Sequence, residues 1–347
     1  MKQYKPIAIG FAVLLTVALV LPSLLVLPFV EKKEGGRLDE HLALPKEPAN
    51  EIKKGKPDKN MNQAVAVYRS AKKTVDKLPL ESYIIGVVAA EMPADFEMEA
   101  LKAQALTART YIISQLSKSG EGGLPGGADV SDTVQHQVYM DDEDMKQAWG
   151  KDYKWKLKRI KEAVASTEGQ ILTYHNKPIT ASFFSTSNGY TENAEDYWKN
   201  EIPYLKSVPS PWDKESPKFE GRKVISVSDF EAKLGIKLKS DGDIGTITAR
   251  TPGKRIGKIT IAGKEFTGRE VREKLDLRSS DFTWMQKGSQ IVITTKGYGH
   301  GVGMSQYGAN GMAMEGKNFK QIVSYYYNGV EVADADSVLK GKLTARR

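Results

Sequence analysis

The longest apolar segment of the chain covers residues 6–30, which contain no charged side chain. A helix of this length, at about 1.5 Å per residue, exceeds the roughly 30 Å hydrocarbon layer of a bilayer. A cleaved signal peptide is the alternative, but its apolar region is usually about 7–15 residues long and ends in a small-x-small site, which this segment does not offer. We therefore predict a single-pass transmembrane anchor, with residues 1–5, including Lys2 and Lys5, in the cytoplasm and the rest of the chain outside.

Polar residues dominate the segment that follows the anchor. Residues 31–60 are rich in Lys, Glu, Pro and Gly and contain few large apolar side chains, so they cannot bury enough surface to fold. We predict a flexible spacer in this segment. One folded catalytic domain is expected over residues 61–335, followed by a charged tail over residues 336–347.

Within the predicted domain, apolar positions recur with two different periods. Spacings of three and four residues predict helices, and short apolar runs bounded by turn residues predict strands. The predicted helices cover residues 80–90, 97–116, 142–167 with an interruption at Gly150, 228–234 and 268–275. The predicted strands cover residues 64–68, 74–75, 170–174, 179–184, 257–262 and 290–294. Helices and short strands are mixed along the chain, which predicts an α+β fold.

The charge balance narrows the class of partner. The chain has 51 Lys and Arg against 43 Asp and Glu, a formal net charge of +8, which favours an anionic partner. Nucleic acid, a membrane surface and a cell-wall polymer all qualify, but a domain outside the membrane is not expected to meet nucleic acid. The absence of cysteine excludes disulfides and Cys-based zinc sites. The four histidines show no ligand spacing, so we expect neither a metal nor a cofactor.

A carboxylate at a helix end is the first candidate for chemistry. Glu91 follows the apolar and small residues 86–90 and precedes Pro93, which interrupts the predicted helix. A glutamate among apolar neighbours can keep its proton near pH 7, because desolvation disfavours its charged form. Glu91 is therefore a candidate general acid. The alternative is an exposed or salt-bridged glutamate at a helix end.

Two further clusters resemble parts of a binding groove. Arg109 lies on a helix made largely of Ala, Leu and Ile, and its guanidinium could order a carboxylate or bind a substrate oxygen. Between residues 183 and 206, hydroxyl, amide and aromatic groups are dense enough for a carbohydrate groove. The candidate residues of this second cluster are Ser185, Asn188, Tyr190, Tyr204 and Lys206. The alternatives are an intrahelical arginine and a polar turn with ordinary core aromatics.

The last cluster is a glycine-rich segment over residues 297–308, between a predicted strand and a predicted helix. It contains no G-x-G-x-x-G or GK[ST] pattern, which argues against nucleotide binding. Its alternating glycines allow close backbone approach around His300 and Gln306. Both are candidate substrate-binding residues, although a lone histidine is often structural.

Taken in this order, the four clusters resemble the SpoIID/LytB family. The resemblance covers nearly the whole chain and is strongest over residues 91–93 (EMP), 99–105 (EALKAQA), 108–111 (ARTY), 188–193 (NGYTEN) and 300–308 (HGVGMSQYG). It implies a lytic transglycosylase that cuts peptidoglycan glycan strands during engulfment of the forespore. It also implies attachment to the mother-cell membrane, with the catalytic domain facing the intermembrane space, and stage II sporulation proteins M and P as partners.

The resemblance also assigns roles to individual residues. Glu91 matches the catalytic acid, and Arg109, Tyr204 and Lys206 match residues that line the groove. Many relatives have cysteines that can hold zinc in the segment that here contains Ser131 and His136, so the expectation of no bound metal stands.

Two other functions remain open on the sequence. One is a glycan-binding or scaffolding module without catalysis. The other is a hydrolase that combines Glu91 with Asp95, Asp132 or Asp196, because ordinary glycosidases use two carboxylates.

Overall fold

A computed structural model of the chain describes residues 64–117, 123–238 and 244–336. The predicted anchor and spacer, and all but the first residue of the predicted tail, lie outside these residues. Across the described ranges, no helix is both long enough and apolar enough to cross a bilayer.

The described chain alternates between helices and short strands. The helices are α1 (Leu80–Glu91), α2 (Met98–Leu116), α3 (Asp142–Trp149), α4 (Tyr153–Ser166), α5 (Ala194–Trp198), α6 (Val227–Leu234), α7 (Gly268–Leu275), α8 (Gln306–Met314) and α9 (Phe319–Tyr326). The strands are β1 (Ala64–Arg69), β2 (Thr74–Pro79), β3 (Val130–Ser131), β4 (Gln170–Tyr174), β5 (Lys177–Pro178), β6 (Phe183–Phe184), β7 (Glu220–Ser226), β8 (Thr246–Arg250), β9 (Ile256–Ile261), β10 (Lys264–Thr267), β11 (Phe282–Lys287), β12 (Gln290–Lys296), β13 (Met304–Ser305) and β14 (Glu331–Asp334). The α+β prediction is confirmed.

The larger hydrophobic core surrounds α2. From Ala100 to Ile113 this helix is buried on nearly all sides, because other elements enclose it. It packs against α1, α4, α8, α9 and β4, and its small residues Ala103, Ala105 and Ala108 are fully buried where these neighbours approach. A hairpin of β1 and β2 leads into α1, and the sheet β14-β4-β5 covers another side.

A second hydrophobic core is formed by the part of the chain that runs from β7 to β12. Two three-stranded antiparallel sheets, ordered β10-β9-β8 and β11-β12-β7, enclose it together with α6 and α7. Alternation along β12 directs Ile291 and Ile293 into this core beside Phe230 and Phe282. The larger core therefore precedes and follows this region along the chain, and the glycine-rich segment returns the chain from β12 to it.

Most predicted elements are confirmed, with one difference. Residues 142–167 form two helices separated by a short 3₁₀ turn at Gly150–Asp152, as the predicted interruption requires. The predicted strand 179–184 is confirmed only at its end: Lys177–Pro178 pairs with β4, the Ile179 N–H donates to the Leu172 carbonyl at 3.2 Å, and Phe183–Phe184 pairs in parallel with β13 instead. Beyond this hydrogen bond, the side chains of Ile179 and Ala181 are buried in the core.

Candidate functional site

Glu91 is the last residue of α1, as the helix break at Pro93 predicts. Its backbone carbonyl accepts a 2.9 Å hydrogen bond from Nε2 of Gln306, at the start of α8. Burial raises the pKa of the Glu91 carboxyl to about 7, and a hydrogen bond from the Val138 backbone N–H partly opposes this shift. No other charged group among the described residues contributes to this pKa shift. The carboxyl is therefore poised between its acid and base forms near neutral pH.

The segment between Asp132 and Asp141, here called the 132–141 loop, lies along α1. The Tyr83 hydroxyl donates to Gln137 at 3.1 Å, and the rings of Tyr83 and Tyr139 stack with centroids 5.6 Å apart. The Met140 N–H donates to the Gly86 carbonyl at 3.2 Å. A Cβ at Gly86 would lie 2.2 Å from the Tyr139 ring and 2.5 Å from the Met140 oxygen, so the loop can lie this close only against glycine.

The turn that follows Glu91 is held from two other helices. Arg159 of α4 donates to the carbonyls of Ala94 at 2.8 Å and Phe96 at 2.7 Å. From α8, the Tyr307 ring meets the Phe96 ring edge-on with centroids 4.9 Å apart. Glu91 is thus positioned by its own helix, by the 132–141 loop and by two helices distant in sequence.

The glycine-rich segment carries Gln306 to this position. Tyr298 exchanges backbone hydrogen bonds of 2.7 and 3.0 Å with Thr186, and β13 then pairs with β6. At Gly303, where φ is 82°, a Cβ would lie 2.0 Å from the Ser182 oxygen. A residue with a side chain would therefore separate the two segments and displace Gln306 from Glu91.

His300 is enclosed rather than free in this segment. Its ring packs against Phe184, Tyr197 and Trp198, with centroids 5.6–5.7 Å apart. Its Nδ1 accepts the Val302 N–H at 3.1 Å. Burial, together with the charges of Arg272 and Arg255, lowers the pKa of His300 to about 3. The imidazole is therefore neutral at physiological pH.

Arg109 requires a correction, because the structure places it in the core and not in a groove. The side chain is fully buried and pairs with both carboxylate oxygens of Glu81, at 2.6 and 2.8 Å. Its remaining N–H groups donate to Thr167 and to the carbonyls of Gln170 and Val164. All five guanidinium donors are thus committed, and none is left for a substrate. Arg109 is a structural residue that joins α2 to α1 and α4.

Tyr204 and Lys206 are both partly exposed. The Tyr204 hydroxyl accepts the Thr180 N–H at 2.9 Å. The Lys206 ammonium pairs with Glu195 at 2.7 Å and with Glu201 at 2.8 Å. The Tyr204 ring stays half-buried and the Lys206 ion pairs remain partly exposed, so both can meet a ligand from solvent.

The remaining predicted groove residues separate into different environments. Ser185 is half-buried, and its carbonyl accepts the Tyr307 N–H at 3.1 Å, which brings it near Gln306. The Asn188 amide donates to Gly253 and Asp281, so it links the two cores instead of facing solvent. Tyr190 is exposed, and the Lys254 ammonium lies 5.8 Å from its ring centroid. The structure therefore brings Gln306 to Glu91 directly and Ser185 to Gln306, while Asn188 serves packing.

Sequence analysis named Asp132 and His136 but did not predict that the 132–141 loop lies against α1. Gln137, Val138 and Tyr139 are not adjacent in sequence to any predicted site residue, and a backbone N–H such as that of Val138 carries no signature in the residue type. The concentration of Asp, His and Tyr between residues 129 and 144 was the available signal.

The two residues compared with zinc ligands are Ser131, which directly precedes the 132–141 loop, and His136, which lies within it. Ser131 Oγ lies 2.9 Å from His136 Nδ1 and 2.8 Å from the Thr133 hydroxyl. In the part of the chain that the structure describes, no group of three or more His, Asp or Glu residues is arranged to hold a metal ion. The absence of a bound metal stays a prediction.

Comparison with known proteins identifies the family. The sequence profile described as Stage II sporulation protein matches residues 68–174, which include α1, the 132–141 loop and β4. The chain is 51% identical to stage II sporulation protein D of Bacillus subtilis over 98% of both chains. The chain belongs to the SpoIID family. The family assignment also rests on 51% identity to stage II sporulation protein D of Bacillus amyloliquefaciens, over 96% of this chain and 98% of that one.

A more distant member carries a different name. The chain is 29% identical to a Bacillus subtilis protein named amidase enhancer, over 70% of this chain and 39% of that one. Family membership connects the chain to sporulation.

Proposed function

We propose that this SpoIID family member is a peptidoglycan lytic transglycosylase in which Glu91 is the catalytic acid. The observation that carries the proposal is the Glu91 carboxyl, with a pKa raised to about 7 by burial and no cation beside it. A group with that pKa is protonated often enough to donate and ionised often enough to accept a proton near neutral pH.

The chemistry needs one carboxyl group. Glu91 donates its proton to the glycosidic oxygen that leaves C1 of N-acetylmuramic acid. The C6 hydroxyl of the same sugar attacks C1, closes an anhydro ring and returns its proton to the Glu91 carboxylate, so no water is consumed. The alternative of hydrolysis needs a second carboxylate about 5–9.5 Å from the first. Asp132 is bound to Arg69, and neither Asp95 nor Asp196 contributes to the pKa of Glu91.

The substrate and location follow from the same proposal. Glycan strands would lie across the Glu91 end of α1, with Gln306 and Ser185 on the α8 side and with Tyr204 and Lys206 at the surface. We place the enzyme in the mother-cell membrane, held by residues 6–30, with its domain in the intermembrane space. There it acts in engulfment beside stage II sporulation proteins M and P.

A second candidate function is a module that holds glycan strands for another enzyme. The name amidase enhancer, borne by a 29% identical relative, favours it. In that case Glu91 would bind but not protonate.

Analysis of the products formed by the full-length protein separates these functions. Purified glycan strands are incubated with the wild type and with Glu91→Gln, and new chain ends are identified by mass spectrometry. We expect anhydro ends from the wild type and a loss of about 10²–10⁴-fold in Glu91→Gln, with strand binding retained. Reducing ends would indicate hydrolysis. Binding of glycan strands without new chain ends would reject the transglycosylase and support the glycan-binding module.

A further inference from the structure

Arg69, at the end of β1, is the centre of an ion-pair cluster at both ends of the 132–141 loop. Its side chain is only 5% exposed. Its Nε donates to Asp132 at 3.1 Å, where the loop begins. Its two terminal nitrogens donate to Asp141 at 2.9 Å and to Asp144 at 2.6 Å, where the loop ends. One planar guanidinium thus holds two chain segments that lie nine or more residues apart.

The contacts around Arg69 extend to the middle of the loop. Its guanidinium carbon lies 4.9 Å from the centroid of the Tyr139 ring, whose other neighbour is Tyr83 of α1. Lys72 adds a second cation on Asp141, at 2.5 Å. Asp141 and Asp144 also form the capping box of α3, so the loop end and the helix start are held together.

The electrostatics confirm that these groups are charged in the folded protein. Burial alone would lower the pKa of Arg69, but the carboxylates of Asp144, Asp132 and Asp141 outweigh it and the pKa rises. Burial alone would raise the pKa of Asp141, but the hydrogen bonds from Lys72 and Asp144 and the charge of Arg69 bring it well below its usual range. A partly buried cluster of this kind is sensitive to the loss of any partner.

We propose that Arg69 is a positioning residue that fixes the 132–141 loop on α1, the helix that ends at Glu91. The loop makes four contacts with α1, through Gln137, Val138, Tyr139 and Met140. Between Asp132 and Asp141 the loop forms no strand. Its two ends are held by Arg69, and its middle rests on α1. Loss of the central cation would leave several carboxylates together without their counter-charge and release both ends at once.

The consequence for Glu91 rests on the proposed function and has a definite sign. The Val138 N–H stabilises the carboxylate, so its loss would raise the pKa of Glu91 further. Among the other groups around Glu91, Tyr83 is the titratable one coupled to it, and Gln306 and Gln104 are neutral amides. A general acid must be protonated, so cleavage by the wild type should decline above about pH 7. In Arg69→Met this decline should move to higher pH while kcat falls and KM changes little.

The experiment compares four variants of the full-length protein. Arg69→Met removes the positive charge, and Arg69→Lys keeps the charge but loses the planar guanidinium. Asp132→Asn weakens the ion pair at one end of the loop only. Asp76→Asn is the matched control, because Asp76 meets Arg69 at 3.4 Å from β2 and lies outside the loop. Amide hydrogen exchange of residues 137–140 is measured for each, with α2 as internal reference, followed by the pH profile of cleavage.

We expect exchange of residues 137–140 to rise by about tenfold or more in Arg69→Met, with α2 unchanged. Arg69→Lys and Asp132→Asn should lie between this variant and the wild type, and Asp76→Asn should match the wild type. If Arg69→Met does not fold, the amide exchange of residues 137–140 in Asp132→Asn tests whether the ion pairs of Arg69 hold the loop. Wild-type exchange in every folded loop variant, or an activity loss without any shift of the pH profile, would overturn the proposal.

Hydrogen exchange needs no activity, so the two proposals fail separately. Full cleavage by Glu91→Gln would reject the catalytic role of Glu91. Loop exchange that still rises in Arg69→Met would then leave the positioning by Arg69 intact.

Discussion

Two glutamates of this protein whose pKa is raised by burial have opposite surroundings. Glu91, at the end of α1, receives one backbone N–H from Val138 and has no cation beside it. Glu192, only 2% exposed, accepts N–H groups from Gly253 at 3.1 Å and Asn193 at 3.2 Å, and the Thr251 hydroxyl donates to it. The Arg255 guanidinium lies 3.9 Å from its carboxylate. Burial raises the pKa of both, but at Glu192 the charge of Arg255 and the hydrogen bonds from Thr251 and Gly253 counteract it.

The difference shows that burial alone does not make an acid. Glu192 connects the two cores, because its backbone N–H donates to Gly301 and its carboxylate holds the 251–255 turn. Its donors stabilise the charged form, which is what a structural link requires. Glu91 lacks such partners, and its proton is therefore available near pH 7.

The largest expected effect tests the structural side of this comparison. Glu192→Gln keeps the shape but leaves the buried Arg255, whose Nε already has no partner, without its counter-charge. We expect a loss of about 3–5 kcal/mol in the free energy of unfolding, measured by urea denaturation at pH 7. Glu265→Gln, at an exposed glutamate paired with Lys258, is the matched control and should change stability by less than about 1 kcal/mol. An equal loss of unfolding free energy in Glu192→Gln and Glu265→Gln would contradict a structural role of the Glu192 carboxylate.

Glu91→Gln should have the opposite effect on stability. The folded pKa of about 7 lies above the ordinary value of 4.5, so the folded state binds more protons between these values and stability falls as pH rises through them. The variant has no carboxyl to ionise. It should therefore be more stable than the wild type at pH 8, by up to about 3 kcal/mol, and similar to it near pH 4. A difference that is the same at both pH values would contradict a raised pKa.

Gly86→Ala tests how closely the 132–141 loop must lie on α1. The added methyl would meet the Tyr139 ring and the Met140 oxygen, and the loop would have to move. We expect destabilisation of about 1–3 kcal/mol and a matching loss of cleavage. Gly123→Ala is the control, since a Cβ there meets nothing within 4 Å. Cleavage by Gly86→Ala equal to that of the control would mean that the loop contact does not matter to Glu91.

The smallest expected effect on stability belongs to Lys206. Its ion pairs with Glu195 and Glu201 are partly exposed, so Lys206→Met should change the free energy of unfolding by less than about 1 kcal/mol. If Lys206 binds substrate, the same variant should weaken strand binding, measured by co-sedimentation with purified glycan. Unchanged glycan binding by Lys206→Met would reject a substrate-binding role for Lys206.

The helices and the helix-end position of Glu91 could be predicted from the sequence because both depend on local signals. The three- and four-residue spacing of apolar positions predicts α1 and α2, and the α1 end predicted from Pro93, at residue 90, lies one residue before the observed end at Glu91. The same local signals did not predict how residues 179–184 pair, because the partner strand β13 lies more than a hundred residues away in the sequence. A strand's partner is chosen by the whole fold and not by its own residues.

By itself, the sequence determined the α+β class, the family, the carboxylate at a helix end and the absence of cysteine chemistry. Only the tertiary structure decided which polar residues are free to act. Arg109 looked like a groove residue on sequence, but its fork meets Glu81 and three further oxygens in the core. Arg69 lies in no recognisable sequence motif, yet its guanidinium binds the carboxylates at both ends of the 132–141 loop. The physical reason is that a side chain's role depends on the partners that satisfy its donors, and those partners come from distant parts of the chain.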